Sequence, residues 1–281
     1  MIKFSKMHGC GNDYIYINGM DNEVPIDEKP EFVKKVSDRH FGIGSDGVIF
    51  INSSEVADFE MEMWNSDGTR AQMCGNGIRC VAKYVYDKGL TTEEKISIVS
   101  AGAIKYLDLN IEDGKMVSCK VDMGAPILEP TKIPVVSKNE RVIAEDILVN
   151  NQNYKVTCVS MGNPHAVVFM EDVDIMKDFK IDEIGPFFEN HKVFPERTNT
   201  EFVNIIDRRH VKMRVWERGA GETLACGTGC CATVVAAILN GLTENEVDVE
   251  VLGGVIHIKW DRDLDKIFMT GPATFVFDGE I

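Results

Sequence analysis

Positive charge is scarce in this sequence. Lys and Arg total 30 against 45 Asp and Glu, a formal charge of −15 over 281 residues. No dense basic patch is visible along the chain, so nucleic acid and anionic membrane surfaces are poor partners. Long apolar runs are also missing. The longest, such as Ala232–Leu239, fall far short of the roughly 20 residues that span a bilayer. The opening MIKFSKMHG has no apolar core, so no signal peptide is expected. The cysteine spacings Cys74-x5-Cys80 and Cys226-x3-Cys230 do not form the paired knuckles of a structural zinc site, and no metal is expected. No lysine-centred pyridoxal motif is evident, and no cofactor is expected. Gly42-Ile43-Gly44-Ser45-Asp46-Gly47 has the letters of a dinucleotide fingerprint. Glu31–Arg39 before it reads as a helix, however, and Val48–Ile51 after it reads as a strand. That order is the reverse of the one the fingerprint needs, so NAD is not supported. Eight cysteines without a secretory signal predict reduced thiols and a cytoplasmic location.

What the chain does have is a duplication. MEMWNSDGTRAQMCGNGIRCVAKYVYDKGLTTEEKISIVSAGAI matches MRVWERGAGETLACGTGCCATVVAAILNGLTENEVDVEVLGGVI without a gap at an offset of 152 residues. Identities include Met61/Met213, Trp64/Trp216, Cys74/Cys226, Gly75/Gly227 and Gly77/Gly229, and run on to Ile104/Ile256. Upstream, Gly11-Asn12 and Gly162-Asn163 each precede an apolar run. A shared strand–turn–helix motif without common ancestry would not hold one register so far. The chain therefore reads as two half-domains, 1–120 and 121–281, with a strand near 268–277 left open to cross back to the first. In each copy, alternating residues predict a strand before the cysteine, as in Phe59–Met63. Cys-Gly-x-Gly is expected as a turn, followed by a helix over Ile78–Lys88 or Cys230–Asn240. Gly89 and Gly241 cap those helices, and strands follow at Ile96–Ser100 and Val247–Leu252. Both helices are apolar around much of their circumference and belong inside protein.

Cys74 and Cys226 thus stand at equivalent helix starts. Unpaired N–H groups and the positive end of the macrodipole favour an anion there, so each thiol is expected to have a lowered pKa. The neighbouring glycines let backbone N–H groups approach a carboxylate closely. Two such units facing about a pseudo-twofold would put one thiol on each side of a carboxylate-bearing carbon. That geometry suits removal of a proton from one face and delivery to the other. Most buried cysteines are small apolar fillers. Cys10, Cys119 and Cys158 are assigned that role, and Cys80, Cys230 and Cys231 are read as helix packing.

The motifs resemble those of the diaminopimelate epimerase family, cofactor-independent two-cysteine epimerases. The resemblance rests on Met7–Asp13, Gly42–Gly47, Trp64–Gly68, Met73–Cys80, Gly162–His165, Arg197–Asn199, Trp216–Gly219 and Ala225–Gly229, and covers nearly the whole chain. Proline racemases share the cysteine pair but usually carry CGHG in the first motif, where this chain has CGNG. The resemblance implies an α/β (α+β) fold of two pseudo-symmetric half-domains, each a mixed barrel-like sheet around a central helix. It implies Cys74 and Cys226 as the acid/base pair, with backbone amides of Gly75, Asn76, Gly227 and Thr228 on the reacting carboxylate. Asn12, Asn65, Asn163, Asn199, Glu217 and Arg218 are implied substrate ligands, and His165 and Glu217 are implied to tune the thiols. A homodimer, and a place in lysine and peptidoglycan precursor synthesis, are the family expectation. Bland alternatives stand beside these assignments: Asn12 and Asn163 as turn residues, Arg218 as a surface charge, His165 as a core histidine. Many family members carry Gln where this chain has Gly47. Competing functions are racemisation of another amino acid such as proline or hydroxyproline, and a protein that only binds ligand or senses thiol oxidation.

Overall fold

The computed structural model describes every residue of Met1–Ile281 except Glu23 and Gln72. The chain divides into two compact units, Met1–Val121 with Thr270–Ile281, and Asp122–Met269. The first unit contains β1 (Lys3–Gly9), β2 (Asn12–Asn18), α1 (Lys29–Ser37), β3 (Gly47–Asn52), β4 (Phe59–Asn65), α2 (Gly75–Asp87), β5 (Lys95–Ser100), β6 (Ala103–Glu112) and the start of β7 (Lys115–Gly124). The second contains the rest of β7, then β8 (Glu145–Val149), β9 (Gln152–Ser160), β10 (Pro164–Phe169), α3 (Ile181–Glu189), β11 (Asn199–Ile205) and β12 (His210–Glu217). It continues through β13 (Gly221–Thr223), α4 (Gly227–Leu239), β14 (Glu246–Val251), β15 (Gly254–Asp261) and most of β16 (Lys266–Pro272). The last strand, β17 (Thr274–Glu280), belongs to the first unit and pairs antiparallel with β1 from Lys3↔Glu280 to His8↔Thr274.

The two units repeat one plan. In the first, β2–β3 and β4–β5 are parallel while β3–β4 and β5–β6 are antiparallel. The second has the same sequence of pairings in β10–β11, β11–β12, β12–β14 and β14–β15. Even the register recurs: Val48↔Trp64 and Ile51↔Met61 correspond to Thr200↔Trp216 and Val203↔Met213. This is the mixed-sheet architecture that the family resemblance implies. Parallel pairs need crossover connections, and the helices supply them.

Each unit wraps its sheet around one 13-residue helix. In α4 every residue from Gly229 to Ala237 is buried, which explains its lack of a polar face. Both helices stop alike. Gly89 and Gly241 take φ of 76° and 72°, a left-handed turn that costs glycine little. Gly89 N–H then bonds Tyr86 O and Leu90 N–H bonds Val85 O, matched by Gly241 to Ile238 and Leu242 to Ala237. These are paired Schellman caps. No helix among the described residues is long and apolar enough to cross a membrane.

Candidate active site

The structure corrects the reading of Cys-Gly-x-Gly as a turn. The helices begin at Gly75 and Gly227, and the cysteines themselves are the N-caps, extended at φ −126°, ψ 115° and φ −123°, ψ 110°. Each sulfur accepts a hydrogen bond from the N–H three residues on: Gly77 to Cys74 at 3.2 Å and Gly229 to Cys226 at 3.3 Å. The thiols thus take the place usually held by a serine or aspartate oxygen. The second glycine of each motif is dictated by packing. A Cβ at Gly77 would lie 2.8 Å from Ile49 Cδ1, and one at Gly229 would lie 2.7 Å from Glu201 Oε1.

In the first unit a two-residue hairpin delivers Asn12. Cys10 and Gly11 both have positive φ, 52° and 84°, as the tight turn between β1 and β2 requires. The Cys74 thiol donates to Asn12 Oδ1 at 3.2 Å, and Asn76 Nδ2 donates to the same oxygen at 3.4 Å. Asn12 Nδ2 donates to Asp46 Oδ2 at 2.7 Å, and Asp46 is held by Arg39 at 2.8 Å. Asp46 is therefore part of the constellation, although within the motif Gly42–Gly47 it carried no assigned role. Arg79, fully buried, donates to Gly75 O, Asn76 Oδ1 and Pro272 O at 3.0, 2.9 and 3.2 Å. It fixes the first turn of α2, and it too was missed. Hydrogen bonds thus bring Asn12, Cys74 and Asn76 together. Asn65, at the end of β4, instead donates to Thr69 Oγ1 at 3.1 Å within its own turn. At Gly47 a Cβ would lie 2.0 Å from the Trp64 carbonyl oxygen, so this backbone has no room for the glutamine of many family members.

In the second unit Cys226 is 6% exposed and its sulfur lies 3.4 Å from Thr228 Oγ1. His165 and Glu201 are both 0% exposed. His165 Nδ1 meets Glu201 Oε1 at 2.6 Å, and Nε2 meets the amide oxygen of Asn163, Oδ1, at 3.0 Å. A carboxylate only accepts, so the Nδ1 position carries the proton. Glu217 accepts from the Thr223 hydroxyl. Asn199 Oδ1 receives the Arg218 N–H at 2.9 Å, and the Arg218 guanidinium donates to Glu196 O at 3.1 Å. His165 thus bridges Asn163 and Glu201, a residue absent from the expected set. Its signal was a lone acid within the strand sequence Asn199-Thr200-Glu201-Phe202-Val203.

Electrostatics here run against the lowered thiol pKa expected at a helix start. Burial pushes the Cys226 thiol well above its ordinary value, and the carboxylates of Glu217 and Glu201 push it further. The Thr228 hydroxyl and Gly229 N–H pull the other way without winning. Burial likewise raises Glu217, against the Thr223 hydrogen bond and the nearby His165. Desolvation disfavours the charged form of any acid, and at this cap it outweighs the hydrogen bonds from Thr228 and Gly229.

Comparison with known proteins agrees with the architecture. The family model described as "Diaminopimelate epimerase" matches residues 4–129 and 157–276. Proteins named diaminopimelate epimerase are 54% identical in Acetivibrio thermocellus and 55% in Agathobacter rectalis. Both alignments cover 100% of this chain, with 98% and 99% of the relatives. Among solved structures, a probable proline racemase from Agrobacterium radiobacter K84 superposes with a TM-score of 0.74 at 12% identity, covering 100% of this chain and 93% of that one. A phenazine biosynthesis protein of the PhzF family from Bacillus anthracis gives 0.71 at 17%, covering 100% and 98%. These remote likenesses establish the fold. With full-length relatives above half identity and both halves matched by one family model, the chain belongs to the diaminopimelate epimerase family.

Proposed function

We propose that this chain epimerises L,L-2,6-diaminopimelate to the meso form without a cofactor, as a step of lysine and peptidoglycan precursor synthesis. The observation that carries this reading is the pair of cysteine N-caps at equivalent places in two units of one plan, in a member of this family. One cysteine as thiolate takes the α-proton from one face of the carbon. The other, as thiol, gives its proton to the opposite face, and the bond electrons pass through the carbanion to the new C–H bond. The roles swap in the reverse direction. The substrate carboxylate gains negative charge as the carbanion forms, and the backbone N–H groups of Gly75, Asn76, Gly227 and Thr228 are the donors assigned to it. Donors oriented in advance stabilise the transition state more than the ground state.

Asn12, Asn65, Asn163, Asn199 and Glu217 are assigned to the amino and carboxylate groups, and Arg218 to the distal carboxylate. A guanidinium pairs with a carboxylate in bidentate fashion. Left unpaired, it would discriminate against amino acids that lack the second carboxylate. His165 and Glu217 are assigned to tuning the thiols. The working form is taken to be a homodimer, checked by sedimentation velocity.

Proton NMR of reduced protein with L,L-diaminopimelate, and separately with proline and hydroxyproline, tests the proposal. Appearance of the meso isomer, with the cyclic amino acids unchanged, is expected. Turnover of proline or hydroxyproline instead would replace this substrate assignment, and ligand binding without turnover would move the chain to a binding role.

A further inference from the structure

The two cysteine caps differ in what lies beneath their second glycine. Ile49 on β3 and Glu201 on β11 are 152 residues apart, the offset of the duplication. The first presents a methyl group beneath Gly77, and the second presents a carboxylate oxygen beneath Gly229. That carboxylate is 0% exposed, and while Oε1 is engaged with His165, Oε2 has no hydrogen-bond partner among the described residues. Leaving a buried oxygen unsatisfied is costly, so the group calls for an explanation beyond packing. A Cβ on Gly229 would lie 2.7 Å from Glu201 Oε1 and 3.3 Å from Cys226 Sγ, which puts the oxygen and the sulfur within about 6 Å of each other.

We propose that Glu201 is a positioning residue that keeps the proton on Cys226. Its charge opposes a thiolate at the α4 cap, and its bond to Nδ1 orients His165, so the second unit holds its cysteine as the thiol in the substrate-free enzyme. This deepens the functional reading above and rests on it, because it assigns which cysteine is the resting acid. The groups on the strands packed against α4 agree. β9 brings Cys158, β10 brings His165, β11 brings Glu201 and β12 brings Glu217, while the buried residues of β14 and β15 are Val247, Val249, Val251, Ile256, Ile258 and Trp260. The carboxylates of Glu201 and Glu217 are both sources of negative charge at Cys226.

Labelling by iodoacetamide, which consumes the thiolate, reads the proposal at one residue when followed by peptide mass spectrometry as a function of pH. Glu201→Gln removes one charge within about 6 Å and is expected to move the Cys226 labelling midpoint down by at least about 0.5 to 2 pH units, for effective dielectric constants between water and a protein surface. Glu201→Ile copies the other half and is expected to do the same, which keeps the test open if the glutamine variant does not fold. Glu201→Asp keeps the charge and should stay near the wild-type midpoint. An unchanged Cys226 midpoint in a folded Gln or Ile variant overturns the proposal. So does an aspartate variant that shifts as far as the glutamine one, since packing would then be the cause. No substrate is used, so a protein that labels as expected yet does not epimerise diaminopimelate would sink the functional reading alone.

Discussion

Replacing Gly229 with alanine asks how rigidly the second unit holds its buried carboxylate. In an unconstrained helix interior the change would stabilise by about 1 kcal/mol. Here the new methyl would sit 2.7 Å from Glu201 Oε1, where ordinary contact begins at 3.4 Å. The carboxylate must retreat by about 0.7 Å, which draws its 2.6 Å bond to His165 out toward the limit of a hydrogen bond. Weakening a charge-assisted bond costs about 1.5–3 kcal/mol, and overpacking a tight interior typically costs about 1–3 kcal/mol. Even with some of each recovered by relaxation, a net loss of about 2 kcal/mol is expected. Gly77→Ala is the internal control. Its methyl meets the Cδ1 of Ile49 at 2.8 Å, the end of a side chain that can rotate away, so the clash and the helix gain nearly cancel. Urea unfolding of both variants measures the difference. Equal stabilities, or a Gly229→Ala variant more stable than wild type, would refute the reasoning about a fixed carboxylate.

Arg79→Met is expected to cost about 3 kcal/mol or more, because Gly75 O, Asn76 Oδ1 and Pro272 O each lose a donor in a buried place; thermal unfolding close to wild type would contradict it. Burial would raise the Glu62 carboxyl, but its hydrogen bonds from Lys29, Trp64 and Asn52 win and hold it below its ordinary 4.5. Its stabilisation is therefore present above pH 4.5 and is lost as pH falls through the lower folded value, so Glu62→Gln should flatten the acid limb of stability against pH, and an unchanged slope would count against this. Burial pushes the Cys80 and Cys119 thiols up to about 12, so neither should react with iodoacetamide in the folded protein at pH 8, while both react after denaturation. Labelling of either at the denatured rate would show that its burial is wrong.

Much of this architecture was legible because the duplication repeats every level of structure. Strand alternation, the glycine stops and the apolar helices recur at one offset, and each recurrence supports the other. The helix starts were read three residues late. A thiol is not among the usual N-cap residues, so nothing in Cys-Gly-x-Gly by itself announced that sulfur would bond the Gly77 and Gly229 N–H groups. The thiol environment was also misjudged. The helix end was visible in the sequence, whereas the desolvation and the two carboxylates around Cys226 depend on contacts between distant strands. Asp46 and Arg79 act across 34 and 193 residues, on Asn12 and Pro272 respectively, separations that local pattern does not report. Glu201 was reachable. Extending the ungapped match upstream sets it opposite Ile49, and a charge aligned with an apolar strand residue marks a place where the halves do different work.

The central claim is that two cysteines share one epimerisation, one removing the α-proton and the other supplying its replacement. Cys74→Ala and Cys226→Ala, each followed by proton NMR of L,L-diaminopimelate in D2O, test this most directly. Wild type is expected to produce the meso isomer with a solvent deuteron at the inverted carbon, and each single variant is expected to lose nearly all of that conversion. Either variant forming the meso isomer at the wild-type rate would contradict the two-thiol account.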